Sequence, residues 1–218
     1  MSNIQINPYA FAAGGFGAWK EVGRTILTSA GDTIEIASIP NKQYYQVLWN
    51  GISSGNLDDI NLKLGNGTID TGSNYSSRSS NKGDSEDVVT STTGIQIDKN
   101  NADADRFGIL YISNLSNQEK LVFSNRVHEN AAGSGSDPFG MKTAGKWANT
   151  SNVLDILRIT NLGTGNFAIG SEVVVLGWDS TDENPITDNF WEEIGNATAS
   201  GSSNTLSTSF TSKKYLWV

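Results

Sequence analysis

The sequence predicts an all-β protein: an antiparallel β-sandwich, with a jelly roll as the expected architecture. Three observations predict it. Ser, Thr, Asn and Gly make up about two-fifths of the 218 residues, while 37% are hydrophobic and 17% charged, a turn-rich composition. The β-branched and aromatic runs are short, and turn clusters separate them at close intervals. No long stretch carries the apolar spacing of an amphipathic helix.

Residues 1–18 read as an extended N-terminal arm. Pro8 to Ala18 is small, aromatic and uncharged, so Tyr9, Phe11 and Phe16 would be exposed apolar surface on a lone monomer. They are expected to pack on a neighbour. The sandwich domain is expected over 19–178. Thr25 to Thr28 and Thr33 to Ile39 flank the turn cluster Ser29-Ala30-Gly31-Asp32. Ile34 and Ile36 alternate with Glu35, as a half-buried strand requires. Further strands are expected at Tyr44 to Trp49, Ile60 to Leu64, Val88 to Val89 and Ile95 to Ile97. Phe107 to Ile112, Lys120 to Val127, Val153 to Ile159 and Glu172 to Leu176 complete the set. Asn66-Gly67 and Gly163-Thr164-Gly165-Asn166 are turn signals. Residues 66–105, crowded with Ser, Asn, Gly and Asp, read as a long polar surface loop.

The chain also carries an internal echo. Trp19-Lys20-Glu21-Val22-Gly23 returns as Trp191-Glu192-Glu193-Ile194-Gly195, and Thr33-Ile34 as Thr205-Leu206. Lys42-Gln43-Tyr44-Tyr45-Gln46-Val47 returns as Lys213-Lys214-Tyr215-Leu216-Trp217-Val218 after a one-residue shift. The repeat is 191 minus 19, or 172, residues long. Residues 179–189 then read as an acidic, Pro-containing linker, and 190–218 as the first strands of a second, incomplete repeat. Two strands cannot bury a face alone. The expectation is a longer polypeptide or a docked terminus, with Tyr215, Leu216 and Trp217 as contact residues.

Fifteen Lys and Arg against 23 Asp and Glu give a net charge of −8, a field that repels a phosphate backbone; nucleic acid is not an expected partner. No run approaches the ~20 apolar residues that span a bilayer, so membrane insertion is not expected. The first residues have neither the basic nor the apolar region of a signal peptide. Zero cysteines remove thiolate chemistry, and the single His128 removes the usual triads and multi-His metal sites. His128 reads as a hydrogen-bonded surface or strand-end residue.

Candidate ligand sites remain. Asp98, Asn100, Asp103 and Asp105 place oxygen ligands close together, the pattern a hard cation such as Ca²⁺ uses. The glycine and terminal glutamate of an EF-hand are absent, so the main expectation is a solvated turn and no cofactor. Twenty-three acids guarantee some close pairs, but none sits in an apolar context that would make it a glycosidase acid. Tyr75, Arg78 and Trp147, near polar stretches, are the best candidates for a sugar platform, whereas Trp49 and Trp178 end strand-like runs and read as core.

Phe190-Trp191-Glu192-Glu193-Ile194, Thr211 to Val218, Lys146-Trp147-Ala148-Asn149-Thr150-Ser151, Asn74 to Gly83 and Val173 to Asp179 carry a resemblance. The chain resembles uncharacterised β-rich structural proteins of marine phages and archaeal viruses that have tandem repeat domains. The resemblance implies a role on a particle surface and carries over no ligand residues. With no catalytic constellation, the expectation is a virion structural protein, not an enzyme. It would be a capsid decoration or fibre-type subunit that forms homo-oligomers, meets other virion proteins, and is made in a host cytoplasm. The alternative is a carbohydrate-binding module or adhesin that recognises host-surface glycan. A third reading, a Ca²⁺-dependent hydrolase, needs both metal and turnover.

Overall fold

The computed structural model describes residues 19–83, 86–99, 103–129 and 133–179, together with Ser209. Among these residues every regular element is a strand. In chain order they are β1 (Lys20–Ile26), β2 (Thr33–Ile36), β3 (Tyr44–Gly51), β4 (Ser53–Ser54), β5 (Asn61–Asn66), β6 (Thr68–Ile69), β7 (Tyr75–Asn81) and β8 (Asp87–Thr92). Then follow β9 (Ile95–Gln96), β10 (Arg106–Ser113), β11 (Lys120–His128), β12 (Phe139–Trp147), β13 (Ile156–Thr160), β14 (Asn166–Phe167) and β15 (Glu172–Trp178).

Eight strands form one antiparallel sheet in the order β1-β15-β3-β10-β11-β12-β7-β8. The second sheet runs β2-β13-β5-β6, with β9 also paired to β5, and β14 pairs β4 in a small ribbon. The inner faces of the two large sheets share one core. Val47, Trp49, Leu110, Val173 and Val175 come from the first sheet, and Ile34, Ile36, Leu62, Leu64, Leu157 and Ile159 from the second. The fold is thus an all-β, two-layer antiparallel sandwich, as the alternating patterns predict. Each fully buried aliphatic side chain contributes about 1.5–3 kcal/mol, so this cluster dominates the stability.

Close approach sets two glycines. A Cβ on Gly108 would lie 2.0 Å from the Trp49 ring nitrogen, so the fully buried indole lies directly over that backbone. A Cβ on Gly65 would lie 2.0 Å from the Thr68 carbonyl, which admits the tight return through Asn66-Gly67, where Gly67 has φ +67°.

The polar stretch 66–105 departs from the expected loop: it holds β6, β7, β8 and β9. Strand β7, Tyr-Ser-Ser-Arg-Ser-Ser-Asn, offers little apolar signal, yet Ser77 and Ser79 are buried because they face Gly145 and Thr143 of β12 across the ladder. Strand β12 was not expected either, since its inward positions mix Met141, Thr143, Gly145 and Trp147. The first strand lies at Lys20–Ile26 rather than Thr25 to Thr28, and β13 begins at Ile156 rather than Val153.

Candidate functional site on the outer face of the eight-stranded sheet

Period-two alternation sends Leu110 and Ile112 of β10 and Val122 of β11 inward, and sends Phe107, Ile109, Tyr111, Leu121, Phe123 and Val127 outward. The register sets Tyr111 opposite Phe123 and Phe107 opposite Val127. Phe107, Tyr111, Leu121, Phe123 and Val127 are 36–57% exposed. One exposed Leu needs no explanation, but five large apolar side chains on two adjacent strands form a patch of the kind that marks an interaction surface. The signal is present in the sequence: β10 is apolar at odd and even positions, and β11 carries Leu121, Phe123 and Val127 on the parity opposite its core residue Val122, where a strand with one wet face is polar.

At the end of this face, where β1 and β11 begin and β15 ends, the patch deepens into a groove of about 400 Å³. Trp19, Tyr44, Tyr111, Leu121, Phe123 and Trp178 line it, and no charged side chain does among the described residues. Tyr44 stacks on Trp178 at 5.4 Å between centroids and 26° between planes, and Trp19 meets that indole at 6.5 Å, tilted by 44°. Gln46 Nε2 donates to the Tyr111 hydroxyl at 3.2 Å. Gln46 Oε1 and Trp178 Nε1 are buried without a hydrogen-bond partner. Asp179, just past β15, accepts from the Gln43 amide at 2.6 Å and pairs with Lys42 at 3.2 Å, which pins the end of β15 beside β3. Such a surface binds through dispersion and removal of apolar area from water.

The proposed cation ligands are not gathered as the sequence suggested. Asp98 is fully buried: Arg106 Nε donates to its Oδ2 at 2.8 Å, and Arg126 Nη2 donates to Oδ1. Its oxygens are committed to two guanidiniums, so the reading of Asp98 as a Ca²⁺ ligand is corrected. Arg106 also donates to the carbonyls of Leu57 at 2.8 Å and Ala104, and Arg126 to that of Phe139 at 3.2 Å. Burial lowers the Arg126 pKa, opposed by Asp98 and assisted by Arg106. Asp103 and Asp105 instead hold Ser53, at 2.7 Å from its hydroxyl and 2.9 Å from its amide. Asn100 lies outside the described residues. Among the described residues no three His, Asp or Glu side chains converge as a metal site. His128, at the end of β11 as expected, is buried edge-on to Phe139 at 5.1 Å, and Lys82 Nζ lies 3.4 Å from the centre of that ring.

The sugar platform is corrected as well. Tyr75 and Trp147 are each 1% exposed and stack on one another at 6.4 Å inside the sandwich. The Tyr75 hydroxyl accepts from the Leu64 amide at 3.1 Å and lies 2.8 and 2.9 Å from the Leu64 and Asp70 carbonyls. Trp147 Nε1 donates to Asp70 Oδ2 at 2.8 Å. Burial would raise the Asp70 pKa, but hydrogen bonds from Trp147, Asn74 and the Gly72 amide outweigh it and hold the carboxyl below its ordinary value. Arg78 is exposed on the outer face and paired with Glu86. The expected contact residues Tyr9, Phe11, Phe16, Tyr215, Leu216 and Trp217 lie outside the described residues. No helix among the described residues is long and apolar enough to cross a membrane.

Compared with known protein families, curated proteins and solved structures, the chain matches none.

Proposed function

We propose that this chain is a structural assembly protein, a surface component of a virus particle, whose sandwich domains associate through the apolar outer face. The observation that carries the reading is the exposed stripe of Phe107, Tyr111, Leu121, Phe123 and Val127 on β10 and β11. A lone monomer gains nothing from that stripe, while each such side chain buried against another copy contributes about 1.5–3 kcal/mol. The resemblance to phage and archaeal-virus structural proteins agrees with it. No catalytic role and no cofactor are proposed. The arm 1–18 and the segment 190–218 are proposed as further contact elements.

The sandwich is further proposed to be a jelly roll with two insertions. Taking β1, β2, β3, β5, β9, β10, β13 and β15 as its eight strands, the pairings give β1-β15-β3-β10 in one sheet and β2-β13-β5-β9 in the other. That is two interleaved Greek keys, the arrangement common in capsid and lectin domains. On this reading β6–β8 and β11–β12 are insertions, and β11, β12, β7 and β8 widen the first sheet.

Peptide mass spectrometry of purified particles from the source tests the function: peptides enriched in the particle fraction support it, and peptides confined to the soluble cell fraction overturn it. A second reading, glycan recognition, rests on the aromatic lining of the groove, since rings such as Tyr44, Tyr111, Phe123 and Trp178 can stack on sugar faces. A glycan-array signal lost in Tyr111→Ala supports that reading, and silence across a broad panel removes it.

A further inference from the structure

Four buried hydrogen-bond donors share one patch on the inner face of the eight-stranded sheet. Trp49 Nε1, Ser124 Oγ, Arg126 Nε and Thr143 Oγ1 have no hydrogen-bond partner among the described residues, and these residues are only 0%, 1%, 3% and 1% exposed. The ladder brings them together. Trp49 of β3 pairs Gly108 of β10, and a Cβ on Gly108 would lie 2.0 Å from Trp49 Nε1, so the N–H edge of the indole sits over β10. Gly108 pairs Arg126 of β11. Leu110, the next inward residue, pairs Ser124, which in turn pairs Thr143 of β12. With strands about 4.8 Å apart and alternate residues about 7 Å apart, the four donors come from an area about 10 Å across. Among the described residues the orphaned side-chain amide oxygens lie elsewhere: Gln46 on the outer face, Asn81 beyond Met141, and Gln96 on β9 against Asp59.

A native interior rarely leaves even one buried donor unpaired, because the lost hydration is not recovered. The indole and guanidinium N–H groups can only donate, and the two hydroxyls can rotate to donate as well. A water molecule has two lone pairs to offer such a set, whereas a halide accepts from every side. Charge favours the same occupant. Asp98, Arg106 and Arg126 are fully buried and together carry one net positive charge, whose pull on an anion is strengthened in a low-dielectric interior. Arg126 Nη1 donates to the Phe139 carbonyl at 3.2 Å and Nη2 to Asp98, which leaves Nε as its orphaned nitrogen. We propose that the sandwich binds a small monovalent anion, chloride, on the inner face of β10, β11 and β12, held by Trp49 Nε1, Ser124 Oγ, Arg126 Nε and Thr143 Oγ1. Burial of all four residues selects a small ion over one the size of phosphate or sulfate. The site lies within one molecule and does not depend on the assembly reading.

Urea unfolding of the full chain in sodium chloride and in sodium gluconate, at equal ionic strength, tests it. Gluconate is too large for a buried site of this kind. Chloride should raise the midpoint, and each tenfold increase in chloride above its dissociation constant should multiply the folded-to-unfolded ratio by up to ten. Ser124→Ala with Thr143→Val removes two of the four donors and should abolish that dependence on chloride. If the double variant does not fold, Thr143→Val alone is read in its place. A crystal grown in bromide should show an anomalous peak within hydrogen-bonding distance of Trp49 Nε1. Equal midpoints in the two salts overturn the proposal and make water the occupant. A chloride effect that survives in the variants overturns it too, because the ion then acts at the surface.

Discussion

Replacing Asp98 with Asn removes the one negative charge between two guanidiniums while keeping the size and an acceptor oxygen. All three side chains are fully buried, with Arg106 Nε 2.8 Å from the carboxylate and Arg126 bound to its other oxygen. At an effective dielectric near 20, a charge pair at about 4 Å is worth about 4 kcal/mol, and there are two such pairs. Desolvation and the repulsion between the two arginines oppose most of that sum. Breaking a buried pair by removing one partner costs about 3–5 kcal/mol, because what is left is uncompensated charge. Set against a typical stability of about 5–15 kcal/mol, this is a large fraction. At about 2–4 °C per kcal/mol for a chain of this size, the midpoint should fall by roughly 10–15 °C. Urea unfolding should show a lower midpoint with an unchanged slope. Replacing Asp98, Arg106 and Arg126 together by apolar residues of similar volume should recover most of the loss. An Asp98→Asn cost below about 1 kcal/mol, or a Ca²⁺-dependent rise in the midpoint of the unmodified chain, would refute the assignment of Asp98 to a structural ion cluster.

Three further outcomes follow from the same geometry. Burial, with Arg126 and Arg106 assisting, holds the His128 pKa below 6.5. The unfolded chain therefore binds more protons between the two values, so this contribution is fully present above pH ~6.5 and is lost as pH falls through that window. The single imidazole resonance should titrate below 6.5 in the folded protein, and a midpoint above it contradicts the burial argument. Gly108→Ala would force a methyl group against Trp49, with 2.0 Å available to the ring nitrogen. A loss of about 1–3 kcal/mol is expected in denaturant unfolding, with a shift in tryptophan emission. Tyr75→Phe should cost about 1–3 kcal/mol, because the buried Leu64 amide loses the hydroxyl it donates to. If Tyr75→Phe instead weakened a glycan signal at unchanged stability, its placement in the core would be wrong.

The strands were readable where β-branched and aromatic residues cluster, whether on the inner face, as Tyr45, Val47 and Trp49, or on the outer, as Leu121, Phe123 and Val127. Tyr44 to Trp49, Phe107 to Ile112 and Lys120 to Val127 each appear within a residue or two of where the pattern places them. Strands β7 and β12 were not readable, for a physical reason: Ser77, Ser79, Thr143 and Gly145 are small residues that fit where the layers approach closely. Ile95, for example, leaves no room for a Cβ on Gly145. Composition then signals loop where the ladder supplies strand. Asp98 reads from sequence as part of a solvated, cation-type turn because Asp103 and Asp105 follow it, whereas it is fully buried. Its true partners, Arg106 and Arg126, stand 8 and 28 residues away and meet it only through the pairing of β10 with β11. Trp147 and Tyr75 were misread as exposed because polar residues surround them in sequence, whereas their polar atoms are satisfied inside the fold by Asp70 and Leu64. The outer-face stripe was legible in principle, as apolar residues at both parities of β10 and at Leu121, Phe123 and Val127 of β11.

The central claim is that the outer face of β10 and β11 is where copies of this protein meet. Sedimentation of the full chain over a wide concentration range, alongside Phe123→Asp, tests it most directly. Phe123 is 46% exposed and directly opposite Tyr111, so a carboxylate there should leave the core intact while placing a charge at the middle of the contact. The account predicts concentration-dependent association of the unmodified chain and a monomer for Phe123→Asp with unchanged thermal stability. A unmodified chain that stays monomeric throughout, or an oligomer indifferent to Phe123→Asp, would contradict it.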